Sequence, residues 1–138
     1  MKTREVIAML GLRAGRSPVD LIERIEEGLS VDALDRVARR IAPGDANFKY
    51  RVVAKATLAR RRLHRRLTAE EGNRLARLAG IWQLAVDVWG GEDRAREYLV
   101  VPHMLLGGHA PLDMALKTDL GARTVENLLG RLKYGSAA

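Results

Sequence analysis

Apolar residues recur at helical spacing through most of this chain, and the residues between them divide the pattern into short helices. Ser17 precedes Pro18 and Asp20. A serine hydroxyl there can accept from a free backbone amide of the first turn, and proline gives up no hydrogen bond. The helix it opens is predicted to run to Glu27 and to stop at Gly28. Ser30 opens a second helix in which Val31, Leu34, Val37, Ala38 and Ile41 share one face, stopped by Pro43-Gly44. From Asp45 to Arg66 the pattern predicts two shorter helices, about Ala46–Val53 and about Lys55–Leu63, with little room between them. Helix, tight turn and basic helix make a helix-turn-helix unit, although this turn carries no glycine.

The second half is patterned more strongly. Thr68-Ala69-Glu70-Glu71 is a capping box, in which the Thr hydroxyl and the Glu71 carboxylate each satisfy an orphan amide. The helix it starts reaches Trp89 before Gly90-Gly91, with Leu75, Leu78, Trp82, Ala85, Val86 and Trp89 as a continuous stripe. Further helices are predicted over Glu92 to about Val100, over Pro111 to about Lys117, and from a Thr118 cap to about Lys133. No alternating strand pattern and no internal repeat interrupts this series, so the expected fold class is all-α.

Composition narrows the function. With 138 residues and 47% apolar side chains the chain can bury a sizeable interior, as one unit or two small ones. There is no cysteine, hence no disulfide framework and no thiolate metal site, and His64, His103 and His109 are dispersed, so neither metal nor cofactor is expected. The apolar run Val6-Ile7-Ala8-Met9-Leu10 follows Lys2 and Arg4 but is cut off by Arg13 and Arg16, unlike an export signal. No stretch approaches the roughly twenty apolar residues of a membrane span. A cytoplasmic location without membrane contact is the expectation. Neither a phosphate-cradling glycine loop nor a nucleophile elbow is present, and Asp113 and Glu126 read as first-turn and surface carboxylates, so an enzyme is not expected.

Charge is distributed unevenly. Residues 1–66 carry 16 Lys+Arg against 8 Asp+Glu, whereas residues 67–138 carry 8 against 9. A polyanion would bind the front half. There Lys55, Thr57, Arg60, Arg61, Arg62 and Arg65 are the candidate DNA contacts; at 100° per residue they cannot share one face, so some would meet phosphates and others could enter a groove. The same residues also describe a solvated basic helix. Trp82, Val86 and Trp89 hold both tryptophans of the chain and are candidates for a monomer core or a subunit interface.

Two segments of the last third, Leu106-Gly107-Gly108-His109-Ala110-Pro111-Leu112-Asp113 and Gly121-Ala122-Arg123-Thr124-Val125-Glu126-Asn127-Leu128-Leu129-Gly130-Arg131, stand before the ending Tyr134-Gly135-Ser136-Ala137-Ala138. Together they resemble the toxin-binding domain of the Xre/MbcA/ParS antitoxins. In the front half Thr57-Leu58-Ala59-Arg60 keeps the second part of that family's Ile-Ser/Pro-x-x-Thr-Leu-x-Arg pattern, without the small polar cap. His103 stands where family members commonly have Asn.

The resemblance implies a DNA-binding region over 1–67 and a toxin-binding domain over 68–138. It implies an antitoxin of a type II toxin–antitoxin system that blocks a RES-domain, NAD-consuming toxin and represses its own operon on double-stranded operator DNA. The assembly it implies is a homodimer, with Trp82, Val86 and Trp89 as interface candidates, joined with toxin in a higher assembly. The toxin contacts it implies are Arg123, Asn127, Arg131, Lys133, Tyr134, Gly135 and Ser136, the end of the chain lying near the pocket where NAD would bind. A stand-alone transcriptional regulator and a basic RNA-binding helical protein remain the alternatives.

Overall fold

Hydroxyl side chains mark where four of the helices begin. Described here is a computed structural model, covering residues 3–13 and 17–135. Among these residues the chain forms eight α-helices and two 3-10 turns, joined by loops, with two isolated antiparallel bridges. It divides into two compact units, residues 1–79 and 80–138.

The first unit contains α1 (Thr3–Met9), α2 (Pro18–Glu27), α3 (Val31–Ile41), α4 (Lys55–His64) and the beginning of α5 (Ala69–Trp89). Ser17 caps α2 by accepting from the Asp20 amide at 3.2 Å, and Ser30 caps α3 by accepting from the Asp32 amide at 3.2 Å. Val31, Leu34, Val37, Ala38 and Ile41 are all buried, as their spacing requires. α1 was not among the predicted helices. Its Val6, Ile7 and Met9 are buried as it packs against α2 and α3, so the apolar run weighed as an export signal is core. Lys2 and Arg16, which flank that run, lie outside the described residues.

The helix expected over about Ala46–Val53 is instead a 3-10 helix, Phe48–Arg51. Asp45 Oδ1 accepts from the Asn47 amide at 2.9 Å, an Asx turn that takes the chain in this direction before an α-helix can start. Phe48, Val52 and Val53 are then buried within five residues of one another, and Arg74 of α5 donates to the Val52 carbonyl at 2.6 Å.

A short backbone ladder closes the far end of α4. Val31 N donates to Arg65 O at 3.2 Å and Leu67 N to Leu29 O at 2.8 Å, while the Arg66 guanidinium reaches the Gly28 carbonyl at 2.7 Å. The turn requires two left-handed residues. Gly28 has φ 101°, and a β-carbon there would sit 3.2 Å from the Leu67 carbonyl oxygen. Arg65, with φ 59°, adopts a conformation that a non-glycine residue enters only at some cost.

The second unit holds the rest of α5, then α6 (Glu92–Val100), a 3-10 turn at Met104–Leu106, α7 (Pro111–Lys117) and α8 (Asp119–Tyr134). Pro111 opens α7, and Thr118 caps α8 by accepting from Gly121 N at 2.9 Å. α7 packs on both α6 and α8. The α7–α8 approach is close enough that a β-carbon on Gly121 would collide with the Met114 carbonyl oxygen, so only glycine fits. Ala85, Ala95, Leu99, Leu112, Val125 and Leu129 are buried around this contact.

Candidate functional site

On α4 the single buried side chain, Leu58, fixes which face looks outward. Arg61 and Arg62 flank Leu58 on the helix surface, and each is tied down. Arg61 Nε donates to Glu71 Oε1 at 2.8 Å, and Arg62 lies 3.5 Å from Asp35, which also meets Lys49 at 3.7 Å. The opposite face carries Ala56, Ala59, Arg60 and Leu63, all exposed. Of the predicted DNA contacts, Arg60 stands on that face with its guanidinium 3.5 Å from the half-buried Thr57 hydroxyl. Lys55 starts the helix with its ammonium 5.6 Å from the Tyr50 ring, and Arg65 ends it as an exposed left-handed residue. α4 has no side-chain cap, because Ala54 occupies the position where a serine would accept an amide.

Glu71 fixes the junction behind α4. Its Oε1 takes the Thr68 amide at 2.9 Å as well as Arg61, and Thr68 Oγ1 takes the Glu71 amide at 3.2 Å, which is the predicted capping box with an added arginine. Burial pushes the Glu71 carboxyl up. The hydrogen bonds from Arg61 and Thr68 outweigh burial, so the net shift is below the ordinary carboxylate range.

In the second unit, Arg123, Asn127 and Arg131 are exposed at spacings of four along α8. Leu120 and Tyr134 extend the same stripe at either end, and both are exposed. Lys133 leaves the stripe: its ammonium pairs with Asp87 at 3.3 Å and lies 5.4 Å from the Tyr134 ring. Gly135 terminates α8 in a left-handed conformation and donates to Arg131 O. Ser136 lies outside the described residues. Leu120 was not singled out from the sequence, where a leucine beside an N-cap reads as interior.

The tryptophan stripe divides. Trp82 is 0% exposed, with the Arg96 guanidinium 5.3 Å from its ring centroid, so it is core. Val86 is half-buried and Trp89 partly exposed, its ring 5.1 Å from that of Tyr98. Tyr98 in turn meets the His103 ring edge-on at 6.2 Å, and burial pushes the Tyr98 phenol above its ordinary range. Among the described residues no group of carboxylates and histidines could hold a metal ion, and no helix is long and apolar enough to cross a membrane.

Residues 84–135 match the family described as the antitoxin Xre/MbcA/ParS C-terminal toxin-binding domain, and residues 20–80 match the antitoxin Xre-like helix-turn-helix domain. A protein named Antitoxin Xre from Yersinia enterocolitica serotype O:8 / biotype 1B is 36% identical over 137 residues, covering 97% of this chain and 91% of that protein. The chain belongs to the Xre antitoxin family. A second Antitoxin Xre, from Photorhabdus laumondii subsp. laumondii, is 38% identical over 71 residues, 51% of this chain and 47% of that protein. Xre antitoxins are binding proteins rather than enzymes. The toxin-binding domain implies a toxin partner, and the helix-turn-helix domain implies DNA binding.

Proposed function

We propose that this Xre antitoxin blocks a RES-type, NAD-consuming toxin and represses its own operon in the cytoplasm, as a homodimer that assembles further with toxin. The observation that carries the reading is the placement of two different exposed chemistries on two matched domains. In the helix-turn-helix match α4 presents Arg60 on its outward face with Lys55 and Arg65 exposed at its two ends, and a polar-apolar stripe on α8 lies in the toxin-binding match.

Arg60 and Lys55 supply phosphate contacts, Thr57 and Arg65 stand at the two ends of the helix, and Arg61 and Arg62 use the donors left by Glu71 and Asp35. On the toxin side, Leu120, Arg123, Asn127 and Arg131 hold the partner, while Tyr134, Gly135 and Ser136 cover its NAD pocket and Lys133 sets the direction of the end of α8 through Asp87. Trp89 and Val86 are the part of the tryptophan stripe that a second copy can reach.

Co-expression with the product of the adjacent gene, followed by purification of the complex, tests the pairing. NAD consumption by that toxin is then measured at saturating occupancy with the full chain and with a chain ending at Lys133. The shortened chain is expected to bind operator DNA and toxin but to inhibit less. Full inhibition by the shortened chain would show that the body of the domain does the blocking.

A further inference from the structure

The connection between α6 and α7 exposes apolar surface in an ordered form. Val100, Val101, Met104 and Leu105 are all exposed, Met104 to 90% and Leu105 to 70%. Isolated apolar side chains on a surface need no explanation, but four exposed within six residues concentrate apolar surface in one short stretch. From Leu99 to Leu112 the sequence contains no Asp, Glu, Lys or Arg. The stretch therefore offers nothing to a polyanion and matches a protein surface.

This connection is not a slack linker. His103 N donates to His109 O at 3.0 Å and Gly108 N donates back to His103 O at 3.0 Å, which closes the loop at its base. Leu106 is buried and pins the turn from beneath, while Leu106 N and Gly107 N donate to His103 O at 3.0 Å and Met104 O at 3.1 Å. The His103 imidazole adds the remaining constraint, because its Nδ1 accepts from the Leu105 amide at 3.1 Å. Its ring is held edge-on by Tyr98, which leans on Trp89. Met104 and Leu105 thus sit at the tip of a turn whose backbone is already fixed, and binding through them requires little further ordering.

We propose that the Met104–Leu105 tip is an apolar anchor that this antitoxin seats in a hydrophobic recess of its toxin, with His103 as the positioning residue. The inference rests on the reading that residues 80–138 hold the toxin. The occupant is a toxin because the tip lies inside the 84–135 toxin-binding match, continuous in sequence with α7 and α8. The anchor is distinct from the α8 stripe and from the end of the chain: it contributes affinity, where the terminal residues cover the pocket.

The test titrates the purified adjacent-gene toxin against the full-length antitoxin and three variants, with thermal melting, operator binding and solution mass measured on each. Met104→Ser/Leu105→Ser is expected to weaken toxin binding at least about thirty-fold, the size of an interface hot spot, without changing the melt or operator binding. Should the double variant melt early, either single substitution serves. His103→Ala is expected to weaken binding as well, and His103→Asn to restore it, because a carboxamide oxygen can accept the same amide two residues on. Unchanged toxin affinity in the double variant overturns the anchor. A wild-type dimer that becomes a monomer in the variant also overturns it, assigning the tip to a second copy. Equal weakening by His103→Asn and His103→Ala removes the positioning role. A wild-type chain that does not bind the toxin overturns the proposed function, and the anchor with it.

Discussion

Residues 1–79 carry 18 Lys+Arg against 10 Asp+Glu, while residues 80–138 carry 6 against 7, and the two units differ as much in what they leave uncovered. In the first, large apolar side chains are exposed at Val19, Ile22 and Leu63, and several cations around α4 are fixed by carboxylates or backbone carbonyls. In the second, Val100, Met104, Leu105, Leu120 and Tyr134 are all exposed on a nearly neutral background. A polyanion is attracted by charge at a distance and screened by salt; a protein partner is held by desolvated apolar contact. Each unit has the surface suited to one of these, so the chain can address two unlike partners without one site compromising the other.

The largest effect that can test this division is removal of Trp82. Trp82→Ala leaves a large cavity in a fully buried position and is expected to cost about 3–5 kcal/mol in denaturant unfolding. Toxin binding should fall further than operator binding. Equal loss of both would mean that the two surfaces stand or fall together.

Glu71 gives a smaller effect, confined to the first unit. Glu71→Gln weakens the bond to Arg61 and the carboxylate half of the capping box, with an expected loss of about 1–3 kcal/mol. Because the folded carboxyl titrates below its ordinary range, its stabilisation is present above about pH 4.3 and is lost as pH falls through the lower, folded value. Thermal melts of the wild type should therefore decline on acidification in that window, and those of Glu71→Gln should decline less. Parallel acid limbs for the two proteins would remove the carboxylate from this account.

The smallest effect on stability, and the sharpest on partner choice, belongs to Arg60. Arg60→Ala should leave the melt within about 0.5 kcal/mol of wild type, since it is a surface change. It should also make the salt dependence of operator binding shallower by about 0.9 for a lost phosphate contact. Toxin affinity should not move. An unchanged salt slope would take Arg60 off the DNA.

What could be read from the sequence follows the range of the interactions involved. The starts at Ser17, Ser30, Thr68 and Thr118 were legible because each cap is made within three residues, and Pro111 carries its own helical φ. α1 was not, because seven residues without a strong cap are helical only by virtue of what they pack on. Nor was the 3-10 turn at Phe48–Arg51, where an Asx turn and the burial of Val52 and Val53 override helix periodicity. The left-handed Arg65 gives no local sign, since glycine or asparagine is the usual mark.

For the candidate site, the spacing of Arg123, Asn127 and Arg131 identified the outward face of α8, but the pairing of Lys133 with Asp87 joins residues 46 apart in sequence. The sequence assigns no role to Met104 and Leu105, because exposure at the tip of a turn depends on the backbone bonds between His103 and His109. The signal was there in the run from Val100 to Leu106, which has no charged residue at a place where a connection should be polar.

Gly121 is buried between two residues that face outward, with Leu120 on one side and Arg123 two positions beyond. A chain adapting to a new partner can exchange Leu120 or Arg123 at little expense to its fold, whereas any side chain at Gly121 drives α8 off the Met114 carbonyl. Tolerance and constraint are thus interleaved along one turn of one helix. Divergence of partner choice in such a domain should be written in the residues around a fixed glycine, with the tight α7–α8 corner left untouched while the surface it presents is rewritten.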